Sequence, residues 1–90
     1  MEVKEAVKLA MKYVAELFEE EQIENLGLEE VEFEDGTDSW QVTIGFSRPW
    51  DHSSGLVLRA APSRSYKVVA INDSTAKVLS VKNRDVSTAA

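Results

Sequence analysis

Apolar side chains recur every three or four positions over residues 3–18 and every second position over residues 40–46. Val3, Ala6, Val7, Ala10, Tyr13, Val14, Leu17 and Phe18 make one stripe of a helix. Glu2, Lys4, Glu5, Lys8, Lys12, Glu16 and Glu19 fall mostly on the other side. Trp40, Val42, Ile44 and Phe46 alternate with Gln41, Thr43, Gly45 and Ser47, which sends the large residues to one face of a strand. A chain that carries both periods in 90 residues must lay the helix stripe on the apolar face of that strand.

The remaining elements follow from their punctuation. Ile23 and Leu26 extend the helical stripe, and Gly27 suits the residue that stops a helix, so the helix is predicted over about residues 2–24. Val31 and Phe33 then alternate with Glu30, Glu32 and Glu34, giving a strand with an acidic face over about 28–34. Asp35-Gly36 is a hairpin turn signal before the strand at about 39–47. Gly45 inside that strand points to a bulge or a bend. Pro49 ends it. Two further strands are predicted over about 64–71 and 76–82, joined through Asn72-Asp73-Ser74-Thr75, with a tail at 86–90. The expected architecture is a single α+β domain, residues 1–90: one N-terminal helix packed across a four-stranded antiparallel β-meander.

Two features lie outside that plain scheme. The connection 48–63 is long for so small a domain, which makes it a candidate functional segment. The third strand is also apolar on both sides, with Tyr66, Val68 and Ala70 on one and Val69 and Ile71 on the other. Such a strand wants a second cover: the loop or tail folded over it, a partner, or a second copy of the chain.

Charge is divided along the chain. Residues 1–40 hold 13 acids and three lysines, whereas residues 41–90 hold three acids and seven bases, for a net charge of −6. Lys4, Lys8 and Lys12 sit near the positive end of the helix dipole, and Glu16, Glu19, Glu20, Glu21 and Glu24 crowd its negative end. Each such placement costs roughly a few tenths of a kcal/mol. An acidic surface of this kind either keeps a small protein in solution or docks on a basic partner. Nucleic acid is not the expected partner, because the acidic half repels phosphates at long range. No apolar run is long enough to span a bilayer. The start, Met1 to Glu5, carries charges of both signs and is not a secretory signal, so a cytoplasmic location is expected.

Candidate chemistry is sparse. With no cysteine there is no disulfide, no thiolate nucleophile and no Cys-based zinc site. His52 is the one histidine, next to Asp51, Ser53 and Ser54. A Ser-His-Asp group needs a rigid frame that a loop does not supply. Glu34-Asp35-Gly36-Thr37-Asp38 lacks the spacing of a calcium loop. A domain this small makes one thin core, and a deep catalytic cavity would take residues away from it. The reading is therefore not an enzyme, with no catalytic residue, no metal and no cofactor. Trp50 beside Arg48 offers the residue types that anchor protein interfaces. The expected partner-binding residues are Arg48, Trp50, His52 and Arg59.

The stretch from Tyr66 through Ile71-Asn72-Asp73-Ser74-Thr75-Ala76-Lys77-Val78 to Val81 resembles the ending of PepSY-type domains, where a strand enters an Asp-x-x-Thr-Gly turn. Ala76 stands at the position of that Gly, and Lys77 where an acid is common. The layout of helix, acidic strand and Trp40-Gln41-Val42-Thr43-Ile44 strand is similar to a cystatin-like helix on a sheet. The resemblance implies a non-catalytic regulatory or inhibitory module that binds another protein, and it carries over no catalytic residue. The expected function is thus a small protein-binding or regulatory module for a protein partner, basic in character. The alternatives are a small-ligand or enzymatic site between the 48–63 loop and the sheet, using His52 and Asp51, and a self-associating domain that forms a homodimer.

Overall fold

Helix α1 runs over Val3–Leu17 and opens where the Glu2 backbone N–H donates to Glu5 Oε1 at 2.8 Å. The structure, a computed structural model, describes residues 1–49 and 64–84. Four strands follow: β1 (Glu24–Glu34), β2 (Ser39–Ser47), β3 (Ser65–Asn72) and β4 (Val78–Asn83). They pair antiparallel in the order β1-β2-β3-β4, and the helix lies on one face of the sheet. This is the expected α+β arrangement of one helix on a four-stranded meander.

The helix meets the sheet through small residues. Ala6, Ala10 and Val14 are buried and recur at i, i+4 and i+8, so the backbone can approach the strands closely. They pack on Val42, Ile44, Phe46, Val69 and Ile71, all fully buried. Val3, Tyr13 and Leu17 of the predicted stripe remain exposed, at 43, 39 and 53%. The contact stripe is therefore narrower than the apolar pattern.

The helix stops seven residues before the predicted end. Its last turn tightens into a 3-10 turn over Glu19–Glu21, and Gln22 takes a left-handed φ of 54° that no helix continues through. Gly27 is not a helix stop but a strand residue, paired with Gly45. β1 consequently begins at Glu24 rather than near residue 28. Ile23 and Leu26 kept the helical spacing, yet both pack on the core from the turn and the strand. The irregularities expected at Gly45 fall on its neighbour instead, between Glu24 and Gly27 and between Leu28 and Glu30 of β1. The first hairpin turn also differs in kind: a 3-10 turn spans Asp35–Thr37, and the left-handed residue is Asp38, not Gly36. β2 spans residues 39–47 as predicted, and β3 and β4 lie one or two residues later than predicted.

The two tight turns are hydrogen-bonded to each other. The Asp73 N–H donates to the Asp38 carbonyl at 3.0 Å, and Ser74 Oγ donates to Asp38 Oδ2 at 3.2 Å. Asn72 Oδ1 accepts from the Ser74 and Thr75 N–H groups, which fixes the second turn. Trp40, half-buried over this end, donates its indole N–H to Asp73 Oδ1 at 2.9 Å. It also meets Phe33 edge-on, with ring centroids 5.1 Å apart.

Candidate functional site

The register places Glu30, Glu32 and Glu34 opposite Thr43, Gln41 and Ser39, on the sheet face away from the helix. Val68, Ala70 and Ser80 continue that face through β3 and β4. Its floor on β2 is made of small residues. Ser39, Thr43 and Ser47 are almost fully buried, and each hydroxyl has a partner. Burying three hydroxyls is tolerable only because those bonds are made.

Two arginine straps cross this face. Arg84, from beyond β4, reaches over the face to Glu30 Oε1 on β1 and to Thr43 Oγ1 at 3.3 Å. Arg64 donates to the Asn25 carbonyl at 2.9 Å and to Glu29 Oε2 at 3.1 Å. Gly45 makes room for the second strap. A Cβ at that position would sit 2.7 Å from both Arg64 Nη2 and Glu29 Oε2. Among the described residues, then, two ion pairs span the strands across this face; the loop and the tail expected as its cover lie outside the described residues.

Of the expected partner-binding residues, the structure describes Arg48. Trp50, His52 and Arg59 lie outside the described residues, as do Asp51, Ser53 and Ser54 and the tail at 86–90. Arg48 is built into the helix side of the sheet. Its Nε donates to Glu21 Oε1 at 2.5 Å and its Nη1 to Ser65 Oγ at 2.5 Å. The guanidinium lies 5.1 Å from the Phe46 ring centre and 5.9 Å from that of Phe18. Lys67 approaches the same Phe18 ring at 5.4 Å and donates to Asn83 Oδ1. Burial pushes the Lys67 ammonium below its ordinary pKa, the Arg48 charge pushes it further, and Glu21 partly offsets both. The Glu21–Arg48 pair supplies a tertiary contact for one of the carboxylates crowded after the helix.

The two outer strands of the sheet carry opposite charge. β1 holds Glu24, Glu29, Glu30, Glu32 and Glu34 and no base. Among the described residues, β4 with its flanks from Lys77 to Arg84 holds Lys77, Lys82 and Arg84 and no acid; Asp85 follows outside the described residues. Neither outer edge is paired with another strand among the described residues. Glu32, Lys77 and Lys82 make no ion pair with a described residue. The alternation of Glu30, Glu32 and Glu34 was visible in the sequence. The straps from Arg64 and Arg84 were not, because they join residues 35 and 54 positions apart.

No three His, Asp or Glu side chains among the described residues come together as a metal site. No helix among the described residues is long and apolar enough to cross a membrane. No protein-family model, no curated protein and no solved structure matches the chain.

Proposed function

We propose that this chain is a small non-catalytic protein-binding module that takes a basic, extended segment of its partner along β1. The observation that carries the reading is an outer strand of 11 residues whose charged side chains are all acidic. An unpaired strand edge offers backbone donors and acceptors to an incoming strand, and the carboxylates select for a basic one. Phe33, 38% exposed, adds an apolar contact on the helix side of the same strand. The likeness of residues 66–81 to a PepSY ending goes with a regulatory role for such a module. Arg48, expected at the contact surface, serves the packing of Phe18 and Phe46 in this reading.

Fluorescence anisotropy with a short labelled peptide of alternating Lys and Val tests the idea. Binding should weaken as salt rises and should fall by about tenfold or more in a Glu32→Lys/Glu34→Lys variant, the equivalent of two cross-strand charge pairs. A peptide methylated on alternate backbone nitrogens keeps its charge and loses its strand pairing. Equal binding of the methylated and unmethylated peptides would reduce the interaction to bulk charge and refute strand addition.

A further inference from the structure

The opposite charges of the two sheet edges belong to one chain. We infer that the basic strand received by β1 can be β4 of a second copy, so that the molecules join edge to edge into an open-ended sheet. The inference rests on the reading of β1 as a docking edge and names its occupant.

Topology permits this pairing without rearrangement. Three antiparallel steps separate β1 from β4, so the two edges run in opposite directions. A copy displaced sideways therefore brings its β4 antiparallel to β1, with its helix on the same side of the sheet. In the register that sets Glu32 opposite Lys82 of a second copy, Phe33 meets Val81, and Glu30 and Arg84, each already joined to its own copy's partner, come opposite one another. The carboxylates and the cations then share the open face, because Glu30 and Glu32 lie on the face that Lys82 and Arg84 also occupy.

The edges also exclude the simpler dimers. Bulges interrupt β1 before Glu30 and β4 at Leu79, leaving Glu30–Glu34 and Ser80–Asn83 as the regular stretches. Bulges and charges are the usual means by which edges avoid pairing with themselves. Here β1 against β1 sets carboxylate against carboxylate, and β4 against β4 sets ammonium against ammonium. The heterologous combination alone turns the same charges into attraction. Such an interface does not close on itself, so it grows chains rather than a symmetric dimer. Its short regular length and the net charge of −6 on each copy make it weak and dependent on concentration.

Paired charge reversals provide the test. One variant is Glu32→Lys/Glu34→Lys, which sets a cation opposite Lys82; the other is Lys77→Glu/Lys82→Glu, which sets a carboxylate opposite Glu32. Circular dichroism checks that each folds. Sedimentation velocity over a dilution series should show the wild-type mass rising with concentration without a plateau. Each variant alone should need about tenfold more protein for the same mass. An equimolar mixture of the two should recover association, because positions 32 and 82 then carry opposite charges wherever the two variants meet. A wild-type chain that stays monomeric, a plateau at the dimer, or a mixture no better than its parts would overturn the proposal. The Lys-Val peptide separates the two readings. If it binds Lys77→Glu/Lys82→Glu while the wild type stays monomeric, only the second copy is lost. If it does not bind, the docking edge itself is lost.

Discussion

Ala76 occupies a backbone conformation suited to glycine, and replacing it should stabilise the protein. Its φ is 61°, in the left-handed region, and its side chain is exposed. The residue closes the turn between β3 and β4: its N–H donates to the Asn72 carbonyl at 2.9 Å, and the Asn72 N–H donates to the Lys77 carbonyl at 2.9 Å. A side chain with a Cβ costs roughly 1–2 kcal/mol in this region. Glycine removes that strain and loses about 0.4–1 kcal/mol through the greater freedom of the unfolded chain. No packing is lost, because the methyl group faces solvent. Ala76→Gly should therefore gain about 0.5–1 kcal/mol, which for a domain of this size is a rise in Tm of about 2–8 °C. Thermal unfolding followed by circular dichroism measures it, with Ala15→Gly as the control. Ala15 is exposed within α1, where the same chemical change should cost about 0.5–1 kcal/mol. The signs at the two positions must differ. Equal losses at both would mean that residue 76 is not held in the left-handed region, and the strain argument would be wrong.

Three other predictions concern the charged clusters. Arg48→Lys keeps the charge but gives up the planar contact with Phe46 and the fork to Glu21 and Ser65, and should lower stability by about 1–2 kcal/mol in urea unfolding. Gly45→Ala should displace the Arg64–Glu29 strap, so its cost should shrink in a Glu29→Gln background; equal costs in both backgrounds would mean that the added methyl meets something else. Lys67 has its folded pKa below the unfolded value, so the unfolded state binds more protons in the interval up to 10.5. Wild-type stability relative to Lys67→Met should accordingly rise as pH climbs through that interval towards 10.5, and a fall measured by urea unfolding at pH 7 and pH 10 would contradict the shift.

What the sequence disclosed depended on how local the cause was. β2 was readable because Trp40, Val42, Ile44 and Phe46 alternate without interruption against small polar residues, and it spans the predicted 39–47. The helix end was misread because Ile23 and Leu26 fall on the helical period by spacing alone. Their burial comes instead from a reversal at Gln22 and from pairing of Glu24 with Ser47. The first turn was located by Asp35-Gly36, but its left-handed step went to Asp38, whose carbonyl and carboxylate are held by the other turn. Gly45 was recognised as unusual for a strand, yet its reason is a guanidinium contributed from residue 64. The acidic edge was legible in residues 30–34; its opposition to a basic edge became clear only once the order of strands was known.

The tie between Asp38 and the Asp73-Ser74 turn bears on how the two hairpins find each other. β2 and β3 pair from Ser39↔Asn72 to Phe46↔Ser65, and the tie sits at the first of these pairs. The covalent link between them leaves from the other end. Register is thus recorded at both ends of the same pairing, once by the chain and once by a turn-to-turn clasp. A polypeptide divided between residues 55 and 56 carries Asp38 with the first hairpin in one piece and the Asp73-Ser74 turn with the second hairpin in the other, so both halves of the clasp lie apart from the peptide bond that was cut.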